Sequence, residues 1–196
     1  MNTPPVHLAS SSPRRQEILT MMGLVFSAAG VDIDEQQLTD ETPGAMVLRL
    51  ACEKAAAAHA VATQIVIGAD TIVTVDGEIF GKPQHENDAL RMLAVLSGRT
   101  HEVLTGVAVS SRLGVQTALS LTEVRFREIH PDEALAYWQS GEPRDKAGAY
   151  AIQGCGGVFV EAISGSYSGV VGLPVFETAA LLRRAGLDPL LKTLSS

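Results

Sequence analysis

Cysteine is scarce in this 196-residue sequence: there are two, Cys52 and Cys155, and neither stands in a CxxC or Cys/His spacing. A disulfide framework and a zinc site are thereby excluded by motif, and a reduced cytosolic setting fits. Excess positive charge is also missing. Against 22 acidic residues stand 15 basic ones, a net charge of -7, which argues against a surface built for nucleic acid or anionic membranes. Any positive charge that holds phosphate must therefore be local. No apolar run approaches the roughly 20 residues needed to cross a bilayer, and the start MNTPPVHLASSSPRR lacks the basic-then-apolar order of a signal peptide. The expectation is a soluble cytoplasmic protein that is not exported. Repeats, low-complexity tracts and linkers are absent as well, while 46% apolar residues suffice for a sizeable core.

What is present alternates between strand and helix patterns, which predicts one α/β unit over residues 1–196, in one or two lobes. Val6 to Leu8 reads as a strand, and Arg14 to Met22 as a helix with Ser12 as N-cap, Pro13 as first helical residue and Gly23 closing it. Phe26 to Glu35 reads as a strand ending in acidic residues. Pro43 opens a long helix with Val47, Leu50, Ala51 and Ala55 on one face, continuing through alanines to Ala62. Gln64 to Ile67 is a buried-type strand, and Thr71 to Val75, Asp76-Gly77 and Glu78 to Phe80 form a hairpin signal with a type I′ turn, Asp70 lying at the junction. Helices are predicted over His85–Leu96, Pro131–Gln139 and Val175–Ala185. Paired strands are predicted over His101–Val109 and Thr117–Arg127, and further strands over Ala149–Ile152 and Val158–Ile163.

Three segments carry possible chemistry. SSSPRR, residues 10–15, puts hydroxyls, helix N-terminal amides and two guanidinium groups within one turn, a place that suits an anion. The same residues also describe a plain capped helix with two solvated arginines. In IVIGADTIV, residues 65–73, Asp70 follows an apolar strand and a flexible Gly68-Ala69 step. A carboxylate there can bind a divalent cation or take a proton from water, with Thr71 beside it, or it can simply satisfy a turn. Lys54, Lys82, Asp34 and Glu35 supply the cations and carboxylates that triphosphate hydrolysis needs, though each alone reads as a surface charge. The glycine-rich DKAGAYAIQGCGG (145–157) and GSYSGVVGLP (165–174) allow close approach to a base or phosphate. Gln153 can pair with a pyrimidine edge there, and Tyr150 or Tyr167 can stack or donate a hydroxyl. The cluster is neither a Walker loop nor GxGxxG, so a P-loop or Rossmann assignment fails.

Taken in order, LASSSPRRQEIL, Glu35, EKA around Lys54, GADTIV, GKP, LSGRTHEVLTGV, DKAGAYAIQG and GSYSGVVGLP resemble the Maf family of nucleotide pyrophosphatases, from about Leu8 to Leu182. The resemblance implies an α/β fold with a central mixed sheet flanked by helices and two lobes around a cleft, similar to inosine triphosphate pyrophosphatases, and a homodimer. It further implies hydrolysis of the α-β phosphoanhydride to a nucleoside monophosphate and pyrophosphate, clearance of non-standard nucleotides included. Residue by residue, Asp70 matches the family's proton acceptor, and Ser12, Arg14, Arg15, Lys54 and Lys82 its phosphate-binding set. Glu35 matches a metal-site carboxylate that would join Asp70 in holding Mg²⁺ or Mn²⁺, with Asp34 as the alternative. Arg14, Thr71 and Gln153 match the branch acting on dTTP and UTP, whereas the branch acting on 7-methyl-GTP differs there. The first motif reads SSSPRR where SGSPRR or SASPRR is common in the family, a change that keeps a small residue. The rival expectations are a pyrophosphatase for 7-methyl-GTP or another modified nucleotide, and a non-catalytic regulator of septum formation.

Overall fold

The computed structural model describes residues 6–58 and 65–191. Among them, seven strands form one mixed sheet, flanked by helices. The chain runs through β1 (Val6–Leu8), α1 (Pro13–Met21), β2 (Phe26–Ala28), α2 (Pro43–Ala58), β3 (Ile65–Val75), β4 (Glu78–Phe80) and α3 (Glu86–Leu96). It continues through β5 (Thr100–Ser111), β6 (Gly114–Phe126), α4 (Pro131–Gln139), β7 (Val160–Ser164), α5 (Tyr167–Val171) and α6 (Val175–Arg184). The strand order is β2-β1-β3-β5-β6-β7, with β4 paired to β3. β1 is parallel to both β2 and β3, whereas β4 and β7 run antiparallel to β3 and β6.

The chain divides into two compact units. The first takes the described residues up to Asp70, together with Thr105–Ser120 and the chain from Gly172 onward; the second takes Thr71–Leu104 and Leu121–Val171. In the first, α2 rests on the sheet through small residues. Ala51, Lys54 and Ala55 share one helix face, and Gly68 and Asp70 share one face of β3, by the periods of 3.6 and 2. A Cβ on Gly68 would lie 2.1 Å from the Ala51 carbonyl oxygen, and one on Gly106 of β5 2.3 Å from that of Val47. The two glycines therefore set how closely α2 can approach. Ala9, Ala51, Ala55, Val66 and Ala108 fill the layer between, all buried. The second unit has its own core around Phe80, Leu93, Leu96, Phe126, Tyr137, Tyr150 and Phe159.

Helices α1, α3, α4 and α6 lie within a residue of their expected bounds, and Asp76 and Gly77 both have positive φ, as a type I′ turn requires. The β5–β6 hairpin is longer than expected. Four expectations need correction. The strand from Phe26 ends at Ala28, and residues 29–38 are irregular. Asp70 is no hairpin junction but the middle of an 11-residue strand. Gly68 is accordingly no flexible step; its missing side chain is what the packing of α2 demands. Residues 149–152 are not a strand, and residues 155–159 form a 3₁₀ turn before β7. Ala149 has φ 58° and its amide donates to the Lys146 carbonyl at 3.1 Å, while the Ala151 amide donates to the Tyr137 hydroxyl, so these peptide groups join no ladder. The expected continuation of α2 from His59 to Ala62 and the strand residue Gln64 lie outside the described residues.

Gly68→Ala is expected to destabilise the fold by about 1–3 kcal/mol, because its Cβ meets backbone that cannot swing aside. A lower urea midpoint at unchanged m-value would show it; an unchanged midpoint would mean that α2 does not pack on β3 this closely.

Candidate active site

Lys54 is the centre of the first unit's polar cluster. Its Nζ donates to Asp70 Oδ1 at 2.6 Å and lies 2.6 Å from Glu35 Oε1. Lys54 and Asp70 are both buried, whereas Glu35 is exposed. Two carboxylates thus converge on one ammonium, and a buried Lys or Asp without such pairing would be costly. Asp34 Oδ1 accepts from the Gln36 amide at 3.0 Å in a local turn, whereas Glu35 reaches Lys54. The irregular segment that carries Glu35 is held by Arg49 of α2. Its guanidinium donates to the Gln36 carbonyl at 3.0 Å and to both oxygens of Glu41 at 2.7 and 2.8 Å.

The SSSPRR segment makes the N-terminus of α1, with Ser12 at the N-cap and Pro13 first in the helix. Ser12 uses no side-chain oxygen for capping. Ser10 organises the turn instead: its Oγ accepts from the Ser12 amide at 3.2 Å and from Arg15 Nη1 at 3.1 Å. Arg15 also donates through Nε to the Gly172 carbonyl at 2.8 Å, which fixes the half-buried guanidinium. Burial lowers its pKa below the ordinary arginine value, Arg14 lowers it further, and the nearby Asp70 and Glu35 raise it. Arg15 stays charged and in electrostatic contact with the carboxylates. Ser12, Arg14, Arg15, Glu35, Lys54 and Asp70 all belong to the first unit. The positive helix end adds to these cations, so the place suits an anion such as phosphate. Sequence reasoning did not single out Ser10, although its hydroxyl two residues before the N-cap could have marked it.

Thr71, Lys82 and Gln153 belong to the second unit. Thr71 follows Asp70 on β3 and is half-buried, and Lys82 and Gln153 are exposed. Gly148 ties the first two together. With φ 68° it bends under β3, where a Cβ would lie 2.9 Å from Val73, and its amide donates to the Gly81 carbonyl at 3.1 Å. Val73 shares Thr71's face of the strand, and Gly81 precedes Lys82.

Tyr150 corrects an expectation. It is buried rather than open to a base, and its hydroxyl shares a 2.9 Å hydrogen bond with His101 Nε2. Phe126 packs edge-on to both rings. Tyr167 remains exposed. Among the described residues no cluster of three His, Cys, Asp or Glu is placed to hold a metal, so Asp70 and Glu35 are a pair and not a full protein cage. No helix among these residues is long and apolar enough to cross a membrane.

A buried carboxylate paired to lysine, beside arginines at a helix N-terminus, is an arrangement that suits phosphate, and known proteins similar to this chain give its class. The family model described as Maf-like protein matches residues 5–185, and the chain belongs to that family. A dTTP/UTP pyrophosphatase from Methylobacillus flagellatus is 50% identical over 95% of this chain and 96% of its own length. Another of that name from Anaeromyxobacter dehalogenans is 53% identical over 93% and 95%. A solved nucleoside-triphosphatase / dITP/XTP pyrophosphatase from Mycobacterium abscessus overlaps 64% of this chain and 75% of its own, with 16% identity and a TM-score of 0.40.

Burial pushes the His101 pKa down to about 4, below the ordinary ~6.5 of the unfolded chain. The unfolded state therefore binds more protons in that window, so stability is full above about pH 6.5 and falls toward pH 4. A loss of at most about 3 kcal/mol is expected. Urea midpoints at pH 7.5 and 5 would measure it, with a shallower pH slope in His101→Gln; equal slopes would exclude His101 as the cause.

Proposed function

We propose that this chain hydrolyses dTTP and UTP to the nucleoside monophosphate and pyrophosphate, with Asp70 as its catalytic carboxylate. One observation carries the reading: Asp70 is held by the Lys54 ammonium, in the field of Arg15, at the N-terminus of α1. The membership of the family and the shared name of its relatives support the choice of substrates.

In this reading Ser12, Arg14, Arg15 and Lys54 bind the triphosphate and offset the charge that builds up as the α-β phosphoanhydride breaks. Thr71 and Lys82 are assigned to substrate binding, and Gln153 to reading the pyrimidine edge. Asp70 orients the attacking water and accepts its proton; the water oxygen bonds to phosphorus as pyrophosphate leaves with the electron pair of the broken bond. A divalent cation, Mg²⁺ or Mn²⁺, fits the donor chemistry, since Asp70 and Glu35 offer hard oxygens that already converge on one cation, and water and phosphate oxygens would complete the set. When bound, such an ion supplies a more acidic water and neutralises phosphate charge. The bond from Lys54 keeps Asp70 aimed. The same reading makes the protein a cytoplasmic homodimer, which fractionation and light scattering would test.

Pyrophosphate release from dTTP, UTP, CTP and 7-methyl-GTP tests the substrates, and dTTP and UTP are expected to be turned over fastest with added Mg²⁺ or Mn²⁺. A preference for 7-methyl-GTP would reassign the branch, and binding without hydrolysis across the panel would favour a regulator. Asp70→Asn, shown to be folded, is expected to lose at least about 100-fold in kcat; a normal rate would remove Asp70 from the chemistry.

A further inference from the structure

Gln153 stands on a segment with no regular backbone ladder, yet its flanks are pinned. Ahead of it, the Ala151 amide donates to the Tyr137 hydroxyl at 3.0 Å. Behind it, the Cys155 amide donates to Glu142 Oε2 and the Gly156 amide to Glu142 Oε1, each at 3.0 Å. The two anchors are joined, because Tyr137 Oη donates to Glu142 Oε1 at 2.7 Å. There is no room for slack. A Cβ on Gly154 would lie 2.2 Å from Glu142 Oε2, and one on Gly156 2.4 Å from Tyr137 Oη.

The clamp itself is fixed from below. Tyr137 is a buried residue of α4 that packs against Phe159 with ring centroids 5.2 Å apart. Glu142 begins a 3₁₀ turn just after α4, where the Glu142 carbonyl accepts from Lys146 Nζ at 3.2 Å and its amide donates to Ser140 Oγ at 3.3 Å. Burial alone would raise the Glu142 pKa, but the bonds from Tyr137, Gly156 and Cys155 outweigh it and hold the carboxyl below its ordinary value. An ionised carboxylate that accepts three hydrogen bonds is a stiff support.

We infer that Glu142, with Tyr137, is a positioning residue that holds residues 151–156 and thereby aims the Gln153 amide at the nucleotide base. The inference rests on the proposed role of Gln153 in reading that base. Glu142 touches neither phosphate nor water in this scheme. Its removal should weaken base recognition and leave the chemical step in place, which separates it from Asp70 and Lys54.

The test is a double-mutant cycle on steady-state kinetics with the nucleotide that the wild type prefers. Glu142→Gln keeps the size of the side chain but replaces one acceptor oxygen with a donor NH₂. It is expected to raise KM by about 10-fold with kcat within about twofold, and to speed hydrogen exchange at the Cys155 and Gly156 amides. In a Gln153→Ala background the same change should leave KM unaltered, because the aimed group is gone. A KM effect that persists at full size in that background, or a loss confined to kcat, overturns the inference while the activity stands. A wild type inactive on every nucleotide overturns the activity and this inference with it. Should Glu142→Gln fail to fold, Tyr137→Phe removes the partner hydroxyl and is expected to behave in the same way in both backgrounds; a KM rise that ignores Gln153 would again overturn the claim.

Discussion

The close approach of α2 to β3 is the constraint on which the centre depends. Gly68 has no side chain because the Ala51 carbonyl oxygen occupies the place, and Gly106 repeats the arrangement at Val47. Two residues along the same strand face comes Asp70, and three along the same helix face comes Lys54. The ammonium meets the carboxylate at 2.6 Å only because the backbones lie so near. A bulkier residue at position 68 would push apart the pair whose ionic contact makes burial of both groups tolerable.

From that pair the organisation spreads outward through local anchors. Glu35 comes from an irregular segment, which has little order of its own, and Arg49 and Lys54 hold it from the same helix. Ser10 and the Gly172 carbonyl fix Arg15. In the second unit Gly148 supports the strand of Thr71 and the turn of Lys82, and Glu142 supports the segment of Gln153. Arg15, Thr71, Lys82 and Gln153 each thus stand near a second residue that supports them. Such supports limit the conformational freedom that binding would otherwise have to remove.

Much of this was legible in the sequence. Pro13 after Ser12, Pro131 opening its helix and Asp76-Gly77 between strands act through local backbone chemistry, and the two helices and the turn fell where expected. The buried face of α2 was readable from Val47, Leu50, Ala51 and Ala55. What escaped were features set by contacts distant in the chain. Gly68 looked like a hinge because its neighbour Ala51 is 17 positions away. Tyr150 looked available to a base because nothing in DKAGAYAIQG announces His101 or Phe126. Residues 149–152 looked like a strand because apolar alternation cannot reveal that the Ala149 amide turns back to the Lys146 carbonyl and the Ala151 amide goes to the Tyr137 hydroxyl. The order of the motifs carried the family, whereas the supports beneath them are tertiary.

In the proposed hydrolysis Lys54 and Asp70 act as one unit. The most direct measurement is kcat/KM for dTTP in Lys54→Met, Asp70→Asn and the double variant, each confirmed as folded. If the pair is a unit, each single change costs at least about 100-fold and the double variant is no worse than the poorer single one. Losses that multiply, or a single variant near the wild-type value, would contradict it.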